Sequence, residues 1–262
     1  EAIEKKYFPC ACLEIGDRNG RIFRYVEGNR SVYPRVEPVY ENTLFDMASV
    51  TKILSTTMVA LKFIESGKIC LTDSIGDFFK VPKGKEHMTI LNLLTHTGGI
   101  RYGLSIVGKI SDIKDSNEIV NTILSLEPSL PIGSEVEYSC LGFILLGKIL
   151  EAVGGDTLDK LSYKYVFEPL EMYNTTFFPK GENIAATDFN PTTGRCSIGI
   201  VNDHNSRFLG GVAGNAGVFS NLDDMSKFAQ MLSSFGKYKS IQYLSEAIFV
   251  KAIHNYTEGM SQ

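Results

Sequence analysis

The stretch FDMASVTK, Phe45 to Lys52, decides how this chain is read: it sets Ser49 three residues ahead of Lys52, behind an acidic residue and in front of a long apolar pattern. From Ser49 onward Val50, Ile53, Leu54, Met58, Leu61 and Ile64 recur at helical spacing until Gly67, which predicts a buried amphipathic helix ended by that glycine. Residues three apart share a helix face, so Ser49 and Lys52 are neighbours, with the hydroxyl at the positive end of the helix dipole. A desolvated amine at such a helix end is biased toward its neutral form, which can take the hydroxyl proton and leave a nucleophilic alkoxide. The plain alternative is an ordinary helix start, because serine is common there and S-x-x-K arises by chance in chains of this length.

On the N-terminal side, CACLEIG and RIFRYVE are strand-like runs separated by DRNG, so Cys10 to Glu27 reads as a β-hairpin. On the C-terminal side the pattern is mostly helical. TILNLLTH closes on Gly98-Gly99, SNEIVNTILSLE stops before Pro128, LGFILLGKILEAVGG runs from Leu141 into Gly154-Gly155, and a further helix covers Leu158 to Phe167. Strand signals return at RCSIGIV, and glycine-rich LGGVAGNAGVFS leads into NLDDMSKFAQML, where Asn221 and Asp224 offer an N-cap and an acidic first turn. Strands early and late with helices between predict a sheet domain over 1–66 and 190–262, interrupted by a helical domain over 67–189.

With 262 residues, 44% of them hydrophobic, the chain can bury a sizeable core as one large domain or two smaller ones. Its 26 Lys+Arg against 30 Asp+Glu leave a formal charge of -4, which argues against nucleic acid or a polybasic membrane surface and for a small-molecule or short-peptide substrate. The longest strongly apolar run, LGFILLG from Leu141, is too short to span a bilayer. Cys10, Cys12, Cys70, Cys140 and Cys196 are scattered with no C-x-x-C pair, so reduced thiols are expected, most of them as small core residues. The chain begins at Glu1 with neither an initiator Met nor a charged-then-apolar leader, so the location is left open: cytoplasmic, or exported if a leader was removed before residue 1.

TLFDMASVTK resembles the nucleophile region of the serine β-lactamase and D-alanyl-D-alanine peptidase (penicillin-binding protein) superfamily, in the class C-like branch that includes esterases. LTDSIGDFF from Leu71, ILNLLTHTGGI from Ile90, EVEYSCLGFILLGKILEAVGG from Glu135 and GGVAGNAGVFSNLDDMSKFAQML from Gly210 are similar to further segments of that family, in its order. The resemblance covers roughly Phe8 to Leu232 and implies an α/β (α+β) fold, an antiparallel sheet flanked by helices plus a helical insertion domain. It places Tyr138 at the family's Y-x-N tyrosine, a phenol that shares a proton with the lysine and passes it to the leaving group. Cys140 stands at the asparagine of that motif and cannot donate the amide hydrogen bond that orients a substrate carbonyl, which argues against strong β-lactam hydrolysis. VNDHNS from Val201 is similar to a segment at the pocket rim, so Asp203 and His204 are candidate substrate contacts, set against ordinary turn chemistry.

The family's third motif, Lys or His followed by a small residue and Gly, supplies one of two oxyanion-hole N–H groups from a late strand, and nothing after Leu232 matches it. HTG at His96 precedes Tyr138 and is read as a helix-ending motif, and NAG at Asn215 comes before the helix that should precede the third motif. The expectation is that C-terminal residues are absent from this chain and that an open sheet edge invites a homo-oligomer. An α/β-hydrolase elbow is approached only by GRCSIG, with one residue too many before Ser197. His87, His96, His204 and His254 are nowhere paired at metal-ligand spacing. LGGVAGNAG lacks a following Lys-Ser or Lys-Thr, so close backbone packing beneath the site is expected instead of phosphate binding. The expected function is a serine hydrolase with no metal and no cofactor; the competing reading is a non-catalytic protein of the same fold that binds peptidoglycan-like peptides.

Overall fold

The computed structural model describes residues 1–100 and 116–261. Asp17 accepts the Asn19 backbone N–H at 2.7 Å, and this turn reverses the chain between β1 (Cys10–Asp17) and β2 (Gly20–Ser31). The two strands pair antiparallel, and β3 (Glu37–Pro38) joins the far side of β2, so among the described residues β1 forms an edge of the sheet. Leu13 faces Tyr25 and Ile15 faces Phe23 across the pair, and all four are exposed on one face of the sheet.

β4 (Phe45–Asp46) leads into a 3₁₀ turn at Ala48–Val50, a π-helical turn at Lys52–Thr57 and α1 (Met58–Glu65), which Gly67 closes at φ +69. The evenly wound helix expected here is therefore widened, and its first residues are rotated. Val50 and Ile53, expected inside, are exposed, while Lys52, Ser55 and Thr56 turn inward. Polar contacts reward that rotation: Ser55 Oγ meets Ser162 Oγ at 2.6 Å, and Thr56 Oγ1 donates to the Gly214 carbonyl at 2.7 Å.

The helices that follow are α2 (Ile90–Leu94), opened by a Thr89–Asn92 capping box, α3 (Ser116–Ser125), α4 (Cys140–Gly154) and α5 (Leu158–Ser162), the last extended by a π-helical turn at Tyr163–Phe167. α4 runs through the core, with Leu141, Ile144, Leu145, Leu146, Ile149 and Leu150 buried, and pairs its charged residues, Lys148 and Glu151, at 2.7 Å. Ser139 caps its start, accepting the Gly142 N–H at 3.1 Å, and Gly155 ends it at φ +69. Leu54, Met58 and Phe63 from the helical rod that follows Ser49 pack into the same core.

β5 (Ala186–Asn190) and β6 (Arg195–Ile198) form a hairpin whose first strand the sequence reading lacks, and the division expected between 189 and 190 falls inside it. α6 (His204–Phe208), β7 (Phe219–Ser220), α7 (Leu222–Ser233), the β8–β9 hairpin (Lys237–Tyr238 and Ile241–Gln242) and α8 (Glu246–Ile253) complete the described residues. Asn221 caps α7 as expected, accepting the Asp224 N–H at 3.0 Å. Arg24 ties that helix to the hairpin, donating to Glu14 at 2.7 Å and to Asp223 at 2.6 Å. All named strand pairs among the described residues are antiparallel, and no helix there is long and apolar enough to cross a membrane. The five cysteines are free, but none is fully buried: Cys70 is exposed and the others are half-buried, a correction to the core role expected for most of them.

Candidate active site

β4 pairs with β7, Phe45 opposite Ser220 and Asp46 opposite Phe219, and the Met47 N–H extends the ladder to the Val218 carbonyl at 2.9 Å. Asp46 then turns the chain sharply: Oδ1 accepts the Ala48 N–H at 2.9 Å and Oδ2 accepts the Asn202 N–H at 2.7 Å. Ala48 is held at φ +44, a region unfavourable for a residue with a Cβ. The turn leaves Ser49 exposed at the head of the helical rod, while Lys52, one turn on, points inward with 3% exposure.

Lys52 Nζ lies 3.1 Å from Ser49 Oγ, 3.0 Å from the Asn215 carbonyl oxygen and 3.4 Å from Cys140 Sγ. An ammonium has three N–H donors, so these partners saturate it; a neutral amine keeps two donors and turns its lone pair to the third partner. The Asn215 carbonyl is fixed by its own fully buried side chain, whose Nδ2 donates to Asp203 at 2.9 Å and whose Oδ1 accepts from the Ser206 hydroxyl at 3.0 Å. Gly214 presses on α4 so closely that a Cβ there would stand 2.0 Å from the Phe143 carbonyl oxygen. The glycine-rich segment thus packs backbone against backbone beneath the site, as its composition suggests. Thr51 adds a further tie, its Oγ1 accepting the Val218 N–H at 3.1 Å.

Tyr138 precedes α4, and its ring centre lies 4.8 Å from Lys52 Nζ; the Phe143 ring centre lies 5.7 Å from the same atom. Both distances suit a cation–π contact. Serine, amine, phenol ring and thiol therefore converge, although Cys140 comes from 88 positions away and Asn215 from 163. Behind the two rings lies His96, which the sequence reading treats only as a helix-ending residue. It does end α2, at φ +59, but its imidazole centre is also 4.6 Å from the Tyr138 ring and 5.0 Å from the Phe143 ring. Burial, and then the charge of Lys52, push its pKa down to about 4.

Asp203 and His204 part company. Asp203 caps α6, accepting the Ser206 N–H at 2.8 Å, and reaches the site only by bracing Asn215. His204 is exposed on the first turn of α6. Asp46, Asn215, His96 and Phe143 are site-forming residues that sequence reasoning did not assign. Only Asp46 had a local signal, as the acidic residue just before Ser49.

The Beta-lactamase family model matches residues 12–252. A protein of Escherichia coli O157:H7, provisionally named a D-alanyl-D-alanine carboxypeptidase, is 30% identical over 232 residues, 78% of this chain and 54% of that protein. The chain thus spans about half the length of the curated relatives it matches. Among solved structures, the octameric penicillin-binding protein homologue from Pyrococcus abyssi superposes with a TM-score of 0.77 at 23% identity, covering 95% of this chain and 57% of that one. EstCE1, described as a hydrolase with promiscuous acyltransferase activity, superposes with a TM-score of 0.75 at 22% identity, covering 95% of this chain and 73% of its own. Likenesses at this level of identity establish a shared fold, the mixed helix-and-strand architecture described above. With the family model matching almost the whole chain, this protein belongs to the Beta-lactamase family.

Proposed function

We propose that the chain is a serine hydrolase acting through an acyl-enzyme on an ester, amide or lactam carbonyl. The observation that carries the reading is a buried amine, Lys52 Nζ, 3.1 Å from the exposed Ser49 hydroxyl, with its other partners supplied from distant parts of the chain. Ser49 Oγ attacks the carbonyl carbon as its proton passes to the neutral amine. The tetrahedral intermediate then collapses, the leaving group departs with a proton relayed through Tyr138, and water cleaves the Ser49 ester to free the acid. Fixing Oγ and Nζ in contact before substrate arrives removes much of the entropic cost of bringing them together. The backbone N–H of Ser49 serves as one oxyanion donor.

Esters and D-amino-acid peptides are favoured over β-lactams, because Cys140 offers a thiol, a weak donor, where the family pattern has an amide. The carboxypeptidase name of the Escherichia coli relative and the description of EstCE1 both support acyl transfer from such substrates. Intact-mass spectrometry after exposure to a fluorophosphonate probe, and separately to benzylpenicillin, tests the scheme. The expected result is a fluorophosphonate adduct mapped to Ser49 and lost in Ser49→Ala, with slower adduct formation by the penicillin. A folded protein that stays unlabelled by the fluorophosphonate sinks the covalent scheme and leaves a peptide-binding protein of the same fold.

A further inference from the structure

We propose that His96 is a positioning residue for Tyr138, setting the phenol against Lys52; the inference rests on the proton-relay role given to Tyr138 above. His96 grips the chain on both sides of the tyrosine. Its carbonyl accepts the Glu137 N–H at 2.9 Å, and its Nδ1 accepts the Ser139 N–H at 3.0 Å. Between those two bonds its ring lies against the Tyr138 ring, 4.6 Å centre to centre and tilted by 37°. One residue thus acts on three successive positions. To turn both its carbonyl and its side chain on the same stretch, His96 adopts φ +59, a conformation that a residue with a Cβ keeps only where its surroundings hold it.

The imidazole also touches Phe143, and Tyr138 and Phe143 are the two rings that look onto Lys52 Nζ. His96 therefore backs the aromatic wall on which the amine rests. A neutral imidazole that accepts at Nδ1 carries its proton on Nε2. Protonating Nδ1 would set one N–H against another, and the hold on Ser139 would be lost. His96 also lines a cavity of about 290 Å³ between α1, α2 and α8, whose lining among the described residues includes Lys251 and His254 but no carboxylate. Nothing in that cavity lining favours a charged ring.

Turnover of ethyl butyrate and of p-nitrophenyl butyrate by the full chain tests the proposal. The ethoxide leaving group needs a proton, whereas nitrophenolate leaves without one, so a fault in the relay shows on the first ester and spares the second. His96→Phe keeps a ring and removes the acceptor; His96→Asn keeps an acceptor close to the Nδ1 position and tolerates positive φ. The expected result is that His96→Phe and Tyr138→Phe each lower kcat for the ethyl ester about 10-fold or more, with KM within about 3-fold and the nitrophenyl ester little changed. His96→Asn should recover most of the lost rate, and the double variant His96→Phe/Tyr138→Phe should be no slower than Tyr138→Phe alone. Equal losses on both esters, or losses that add in the double variant, make His96 a packing residue and overturn the inference while leaving the relay intact. Parental kcat in Tyr138→Phe, or no turnover of either ester by the unsubstituted chain, overturns the reading beneath it as well. Thermal melts check folding, and His96→Gln, whose carbonyl reaches past the Nδ1 position, replaces the Phe variant if that one fails to fold.

Discussion

A methyl group added at Gly214 would stand 2.0 Å from the Phe143 carbonyl oxygen, 2.9 Å from its carbonyl carbon and 3.1 Å from the Gly147 nitrogen, all of them backbone atoms of α4. Real Cβ atoms essentially never come closer than 3.0 Å, so in Gly214→Ala the two segments must part by about 1 Å, and no side-chain rotation relieves the contact. Overpacking costs about 1–3 kcal/mol, and because backbone must give way the expected loss is at the top of that range, about 3 kcal/mol out of a total stability on the order of 5–15 kcal/mol. The displacement falls on Asn215, whose carbonyl holds Lys52 Nζ at 3.0 Å. Misplacement by about 1 Å should slow acylation of Ser49 on the order of 10²-fold. Gly147→Ala is the graded control: its Cβ would meet Gly214 at 3.1 Å and the end of Leu158 at 3.5 Å. That milder contact is offset by better helix propensity, so the variant should stay within about 1 kcal/mol of the parent. Urea unfolding followed by circular dichroism gives the stabilities, and timed fluorophosphonate labelling gives the rates. A Gly214→Ala protein as stable and as quickly labelled as the parent would refute the view that this backbone contact seats the amine.

Cys140→Asn places an amide beside Lys52 Nζ and should speed acylation by benzylpenicillin up to about 10-fold, the worth of one net hydrogen bond of about 0.5–1.5 kcal/mol, read from intact-mass time courses. Asp46→Ala takes the acceptors from the Ala48 and Asn202 N–H groups, so urea melts should show a loss of about 1–3 kcal/mol and Ser49 should label more slowly. His96, held at about 4 by burial and then by the Lys52 charge against an ordinary 6.5, binds a proton more readily in the unfolded chain. Its contribution to stability is therefore whole above pH 6.5 and is lost as the pH falls toward 4; thermal melts across that window should show a slope that His96→Asn flattens.

Ser49 and Lys52 were readable from their spacing in one short motif, and Tyr138 and Cys140 from the resemblance of the stretch at the start of α4 to a family segment; the helices nearby announce themselves by periodicity and caps. LGFILLGKILEAVGG was readable as a helix running into Gly154-Gly155, and its apolar residues do pack into the core. What escaped was whatever depends on contacts across the chain. Nothing around Asn215 or His96 signals that one will seat Lys52 and the other will lie on Tyr138, because those meetings are made by the packing of α4 against the glycine-rich segment and the end of α2. Val50 and Ile53 were expected inside because a period of 3.6 was assumed throughout; the wide turn after Thr51 brings Ser55 and Thr56 to buried polar partners and leaves those apolar residues in solvent. β5, read as ATDFN, carries too little apolar alternation to stand out as a strand before its partner is known.

The dependence of Lys52 on Asn215, 163 positions downstream, bears on when the chain becomes chemically dangerous. During synthesis, or in a partly unfolded copy, the serine and lysine are already adjacent in sequence, yet the amine is fully hydrated and the hydroxyl is an ordinary alcohol. Potency arrives only with tertiary closure. Under the proposed acyl-enzyme scheme, misassembled molecules are therefore silent and not stray acyl acceptors, and covalent labelling doubles as a gauge of how much of a preparation is native.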